Sequence, residues 1–176
     1  MRISFDSVSE IYDETRKLPE DVGRRLIQTL GEELRSSRSI LDAGVGTGRF
    51  ANPLQDLGFK VVGIDISRKM LCKAQEKGAA NLMQVDTSFL PFRDKVFDAV
   101  ICVHLLHLIK EWKETLQEIC RVTKDFMFSL HYVQRNPIRD AYKQMLIKHG
   151  YGSKRPGKSE QEIAGIVPPF RSVFVA

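Results

Sequence analysis

The sequence predicts an α/β protein in three layers, with helices on both faces of a mostly parallel sheet. Three observations carry this. After Ser39, short apolar runs alternate with segments whose apolar residues recur at helical spacing, the pattern of βαβ units. Two of those runs, 60–65 and 97–103, are almost continuously apolar, as expected of strands buried on both faces. The first run ends in three glycines at alternate positions ahead of a helical segment, a turn suited to holding a ligand at a strand's C-terminal end. At 176 residues, with 43% hydrophobic and 28% charged residues, the chain suits one globular domain with one sizeable core.

Ahead of the first strand, Val22, Leu26, Leu30 and Leu34 recur every fourth residue and predict a helix with one apolar face. The first strand covers 40–43, or starts slightly earlier. A helix beginning near Arg49 and Phe50 follows the glycines. The second strand is 60–65, and Ser67 is placed to N-cap the next helix, which runs through Met70, Leu71 and Ala74. The third and fourth strands are 82–85 and 97–103. Trp112, Leu116, Ile119 and Cys120 mark the helix leading to the fifth strand, 126–130. Beyond it, 136–149 predicts a helix with Pro137 at its first position, 151–157 a loop, and Ser159 with Glu162 a capping box. Residues 171–176 read as a last strand. Right-handed crossovers would then place a ligand at the strands' C-terminal ends, near the point where strand order reverses.

The chemistry concentrates in ILDAGVGTG, residues 40–48. Glycine lets the backbone approach a ligand closely, and the following helix offers free N–H groups to an anionic group. A plain tight turn has the same composition, so a second feature is needed. Asp65 supplies it. It ends the second strand, 21 residues after Gly44, where a carboxylate can accept from both hydroxyls of a ribose. Capping the next helix is its alternative role, for which Ser67 is better suited. The third glycine separates two ligands. A dinucleotide fingerprint, G-x-G-x-x-G, needs glycine at 49, but that residue is Arg49 and the glycine stands at 48. No P-loop GK[ST] is present either.

This segment resembles motif I of the class I S-adenosylmethionine-dependent methyltransferases, which are Rossmann-like. The similarity is greatest to the broad group related to the quinone-biosynthesis methyltransferases. It extends in consecutive order over about residues 5–131. Phe5-Asp6 and Tyr12-Asp13 resemble that group's N-terminal element, 61–67 its second motif, and Gln84 to Asp86, Leu90 to Phe92 and Phe97 to Val100 the following ones.

The resemblance implies S-adenosyl-L-methionine as cofactor and a role for each matched position. Asp42 and the loop Gly44, Val45, Gly46, Thr47 and Gly48 would hold the methionine portion. Asp65 would bind the ribose and Asp86 the adenine amino group, with Thr87 beside it. Met70 or Ile66 would pack on the adenine face. Val103 and His104 would line the methionine end and the substrate mouth, and Tyr12 would lie over the cofactor. The whole chain, 1–176, is expected to be one methyltransferase domain: an N-terminal helical lid (1–36), a cofactor-binding core (37–131) and a substrate-side segment (132–176). Two departures stand out. The family's Pro-Gly-Gly turn before strand five is replaced by VTKDF, 122–126. The family sheet also ends in an antiparallel pair of strands, for which only 171–176 is a candidate. Either that pair is incomplete, the sheet has six strands, or the topology differs there.

A sulfonium methyl group is already activated, so no protein nucleophile is required and none is evident. His104 is the candidate base if the acceptor arrives protonated, and His107 is better suited to packing or capping. The two lack a third metal ligand nearby, so no metal is expected. The net charge is +5, and the excess is local. Residues 131–176 hold eight Lys/Arg and three acids, leaving nineteen of each sign elsewhere. That tail is either a solvated surface or a docking face for an anionic acceptor or RNA. The expected acceptor is a small molecule. The alternatives are RNA, tRNA in particular, and a catalytically silent cofactor-binding module. Cys72, Cys102 and Cys120 form no metal or disulfide pattern, and no apolar run reaches the ~20 residues of a membrane span. The N-terminus has no apolar signal core. The expectation is a cytoplasmic protein with reduced thiols. The sequence leaves the acceptor atom and the oligomeric state open.

Overall fold

A computed structural model describes residues 5–6, 9–15, 17–130 and 171–175. Two helices, α1 (Tyr12–Thr15) and α2 (Glu20–Glu33), precede β1 (Ser39–Ala43). Then come α3 (Ala51–Asp56), β2 (Lys60–Asp65), α4 (Arg68–Glu76), β3 (Leu82–Gln84), β4 (Phe97–Val103), a single 3₁₀ turn (Leu106–Leu108), α5 (Trp112–Val122), β5 (Thr123–Leu130) and β6 (Arg171–Val175). The strands form one sheet in the order β3-β2-β1-β4-β5-β6, every neighbouring pair parallel. Strand order reverses between β1 and β4, and the crevice of an open α/β sheet opens at that point.

The sheet is buried on both faces because successive side chains point to opposite sides. Ile40, Val61, Ala99, Ile101, Phe126 and Phe128 face one way and pack with Leu30, Leu34, Phe50, Leu54 and Leu71 from the α2, α3 and α4 side. Leu41, Ala43, Ile64, Val100, Cys102 and Met127 face the other and pack with Leu116, Ile119 and Val122 of α5. Burying each large aliphatic side chain contributes roughly 1.5–3 kcal/mol, so these two layers fix the strand register that the crevice depends on.

The structure adjusts several expectations. Val22 is exposed; α2 turns Leu26, Ile27, Leu30 and Leu34 inward, and its first turn projects beyond the core. The helix after the glycines starts at Ala51 rather than near Arg49, because Gly48 lies at φ 81° and the helical ladder begins with Asn52 N–H on the Gly48 carbonyl. β5 starts three residues early. With no Pro-Gly-Gly turn, α5 passes directly into the strand at Thr123, whose hydroxyl donates back to the Ile119 carbonyl at 2.5 Å. The antiparallel ending is replaced, among the described residues, by β6 pairing parallel to β5. The helix expected at 136–149, the loop at 151–157 and the cap at Ser159 lie outside the described residues.

Candidate functional site

β1 and β4 end side by side, and the turn after β1 folds back over β2: the N–H groups of Gly44 and Val45 both donate to the Ile64 carbonyl, at 2.9 and 2.8 Å. Gly44 and Gly46 have φ of 78° and 55°, in the left-handed region that glycine occupies without strain. A Cβ on Gly46 would meet nothing within 4 Å, so this stretch of backbone faces open space; one on Gly44 would come within 2.9 Å of Leu105 Cδ1. His104, just past β4, is also left-handed at φ 52°, a conformation that costs a non-glycine residue energy and is concentrated at functional sites.

A cleft of about 870 Å³, counted to its open mouth, runs across these strand ends. Its walls include Asp65, Ile66 and Met70 from the β2 end and α4, Val85 to Ser88 beyond β3, and Val103, His104 and Leu105 beyond β4. A smaller cavity of about 340 Å³ continues under the glycine turn, bordered by Asp42, Val45, Thr47, Arg49 and Phe50. Tyr12, Gly44, Gly46, Val103 and His104 border both spaces.

Three carboxylates shape the cleft. Asp65 accepts the Gly46 N–H at 3.0 Å with one oxygen and the Ser67 N–H at 2.8 Å with the other, so it braces the glycine turn as well as facing the cleft. Burial pushes its pKa up, partly offset by those backbone donors. Ser67 caps α4 as expected, its hydroxyl accepting from Met70 N–H. Asp86 lies in the loop after β3, where the Ser88 N–H and hydroxyl both donate to it, at 3.0 and 2.5 Å. Asp42 is almost wholly buried. Burial, with Asp65's charge adding, pushes it up to about 7, against one backbone donor from Ala51. Its Oδ2 has no hydrogen-bond partner, and neither does Arg49 Nη2 in the same cavity wall.

The N-terminal segment is pinned across the cleft. The Phe5 and Tyr12 rings meet edge to face, 5.9 Å apart, and both line it. Its acids step along α4: Asp6 accepts from the Ser67 hydroxyl, Glu10 pairs with Lys73 at 2.8 Å, and Asp13 pairs with Lys77. Asp13 also accepts from Thr47 in the glycine turn at 2.6 Å; burial alone would raise its pKa, but the Lys77 and Thr47 donors hold it below the usual value.

Thirteen of the fourteen expected residues border one of the two spaces. Gly48 borders neither: a Cβ there would run into the Asn52 side chain and crowd Ala74, so its role is close packing. Arg49, Phe5 and Ser88, and the apolar wall of Leu105, Leu108 and Ile109, were not assigned to the cleft from sequence. Arg49 carried a signal, since it directly follows the glycine run. The His107 side chain and the basic 154–158 cluster lie outside the described residues. No three His, Cys, Asp or Glu gather for a metal among the described residues.

The Methyltransferase domain family matches residues 41–125. The malonyl-[acyl-carrier protein] O-methyltransferase of Hamiltonella defensa is 33% identical over 122 residues, 69% of this chain and 46% of that protein. The demethylmenaquinone methyltransferase of Renibacterium salmoninarum is 30% identical over 154 residues, 82% of this chain and 64% of that protein. The chain thus spans about half to two thirds of the length of these relatives. A solved structure of magnesium protoporphyrin IX methyltransferase from Synechocystis, with bound SAH, superposes at a TM-score of 0.69, covering 92% of this chain and 83% of that one, at 20% identity. At that identity the match speaks for the fold.

Proposed function

This chain belongs to the class I S-adenosylmethionine-dependent methyltransferases, related to the quinone-biosynthesis group, and from that premise we propose that it transfers the cofactor's methyl group to a small-molecule acceptor by in-line displacement. The observation that carries the reading is the two-chambered crevice at the strand ends, with the buried Asp42 oxygen left unpartnered in the inner chamber. A nucleoside suits the outer chamber: Asp65 accepts from a ribose, Asp86 and Thr87 meet an adenine edge, and Ile66 and Met70 pack on its face. The inner chamber suits the methionine portion, against Asp42, Val45 and the Gly44 and Gly46 backbone.

The bound cofactor supplies an electrophilic methyl group on a cationic sulfur. The protein's part is to align the acceptor and exclude water. Leu105, Leu108 and Ile109 offer an apolar wall to the acceptor, and Phe5 and Tyr12 cover the cleft from the N-terminal side. His104 stands where both chambers meet and is the group to take a proton from an acceptor that arrives with one. Named relatives that act on a carrier-bound malonyl group and on demethylmenaquinone support a small acceptor. The basic tail supports RNA as the second reading. All three cysteines are free thiols, which supports placement in the cytoplasm. No described helix is long and apolar enough to cross a membrane.

Calorimetry with S-adenosylmethionine, S-adenosylhomocysteine and NAD tests the cofactor: the sulfur nucleotides should bind and NAD should not. Binding of NAD alone would refute the reading. A methyl-transfer screen with labelled cofactor against metabolite and tRNA pools then identifies the acceptor class. Label entering tRNA selects the second reading, and label entering nothing selects a silent module.

A further inference from the structure

We propose that two copies of this chain pair edge to edge through β3 about a twofold axis, joining their sheets into one. β3 ends the strand order, and among the described residues only β2 lies beside it. The Gly63 N–H donates to the Asn81 carbonyl at 3.1 Å and the Val85 N–H to the Asp65 carbonyl at 3.0 Å. Asn81, Met83 and Val85 therefore turn their main chain toward β2, and the main-chain groups of Leu82 and Gln84 turn to the outer edge. Edge strands are ordinarily guarded by charge, by proline or by a covering element. Residues 78–85 contain no charged residue and no proline, in a chain where 28% of residues are charged.

The cover is thin on one face as well. α2, α3 and α4 pack on one side of the sheet and α5 on the other, where the connection from β3 to β4 contains no helix. Met83 stands in register with Ile64 and so faces the α5 side, and it is 41% exposed. The loop that follows sends Leu90 and Phe92 into that same layer but leaves Phe89 85% exposed, the most exposed large apolar side chain among the described residues.

A second copy is the occupant this edge fits. A twofold axis makes the paired strands antiparallel and sets each residue against its own copy or a near neighbour. A charged edge would meet its own sign, so neutrality is the condition for self-pairing. A foreign strand would be selected by charges that this edge lacks. With the axis at Met83, Leu82 of each copy stands opposite Gln84 of the other, and each such pair exchanges two hydrogen bonds through the outward main-chain groups. The two Met83 side chains then meet across the axis as a close, non-hydrogen-bonded pair. Asn81, left-handed at φ 54°, and the turn in which Asp86 accepts from Ser88 bound the strand at three residues, which suits a small interface that forms with rising concentration.

Sedimentation equilibrium of the whole protein tests this. From about 1 to 100 µM, the range in which small interfaces associate, the mass should rise from monomer toward dimer. Met83→Lys and Met83→Glu each set like charges across the axis and should weaken the dimer about tenfold or more. An equal mixture of the two should restore it, which also certifies that both variants fold. Phe89→Ser, at an exposed loop position, should weaken it severalfold. Hydrogen exchange at the Leu82 and Gln84 amides should slow as the protein is concentrated, but not in Met83→Lys. A protein that stays monomeric throughout the range would overturn the proposal and leave β3 to a foreign strand or to solvent. A dimer indifferent to all three variants would overturn it too, because its contact then lies elsewhere, and so would a mixture that stays monomeric.

Discussion

At Asp42 the fold holds a carboxyl that releases its proton near pH 7, against an ordinary value of 3.8, because burial and the nearby Asp65 charge both disfavour the anion. The native state therefore binds one more proton than the unfolded chain between about pH 4 and 7. This group's contribution favours folding at the acid end of that window and declines as pH rises through 7. Ligand binding has the opposite dependence. A cationic ammonium prefers the carboxylate, so S-adenosylhomocysteine affinity should rise up to tenfold per pH unit below 7 and flatten above it. Tyr12, Arg49 and His104 border the same inner space, and the Asp65 charge acts on Asp42 from beside it. Asp42→Asn is the control: calorimetry across pH 5.5–8 should find its profile flattened, and a persisting slope would assign the dependence to another group of the cleft. Asp65→Ala removes an acceptor for the ribose and for the Gly46 N–H, and contacts of this kind contribute ~1.5–3 kcal/mol. Affinity should fall about tenfold or more while the circular dichroism spectrum holds, and an unchanged affinity would leave Asp65 as a brace only. Asp65 was legible in the sequence because it ends an apolar run 21 residues after Gly44, whereas Asp42 and Asp86 came only with the family resemblance. Arg49 was read only as the residue that breaks a dinucleotide pattern, since nothing in a linear sequence shows that a guanidinium lacks a partner.

Among the elements, the strands were the most legible, because burial on both faces writes a continuous apolar run. Their junctions were less so. Whether α5 needs a turn before β5 depends on the Thr123 hydroxyl reaching Ile119, a local contact that composition does not encode. The loop between β3 and β4 likewise relies on one long-range residue. Arg121 near the end of α5 holds both Glu118 oxygens, pairs with Asp94, and donates to the Phe92 and Leu90 carbonyls, while Glu118 accepts the Leu90 N–H. Arg121→Ala leaves those carbonyls and Glu118 without their donor. A loss of about 2 kcal/mol is expected, because these are charge-assisted bonds in a half-buried site. Thermal unfolding should show it as a fall in Tm of about 4–8 °C. A shift below about 1 °C would mean that water replaces the arginine at no cost. The N-terminal segment is a different case: Asp6, Glu10 and Asp13 meet Ser67, Lys73 and Lys77 along α4 and at its two caps, but such long-range polar contacts leave no periodic signature.

At the scale of the whole molecule, charge and topology divide the chain unevenly. The net +5 lies entirely in residues 131–176, and Lys154, Arg155 and Lys158 form its densest cluster. Replacing all three by Gln should raise the acceptor KM severalfold and reduce its dependence on salt, with cofactor affinity nearly constant, because the groups that line the cleft all lie between Phe5 and Glu111. Acceptor kinetics at two salt concentrations measure this, and a KM indifferent to the replacement would make the tail a solvated surface. The three-layer architecture was legible from alternation alone. The parallel sixth strand was not, because strand direction at an edge depends on a connection that local pattern does not describe. The strand order also has a consequence for synthesis. β1, β2 and β3 leave the ribosome first and can pair as half a sheet, yet the other edge of β1, at Ile40, Leu41 and Asp42, must wait for Ala99, Val100 and Ile101. At about 5–20 residues per second that wait lasts on the order of seconds, with an apolar strand edge at the centre of the future sheet open to any passing chain. The nascent polypeptide is thus most vulnerable to aggregation while the residues between β3 and β4 are being added, and a pause in decoding there would lengthen that exposure.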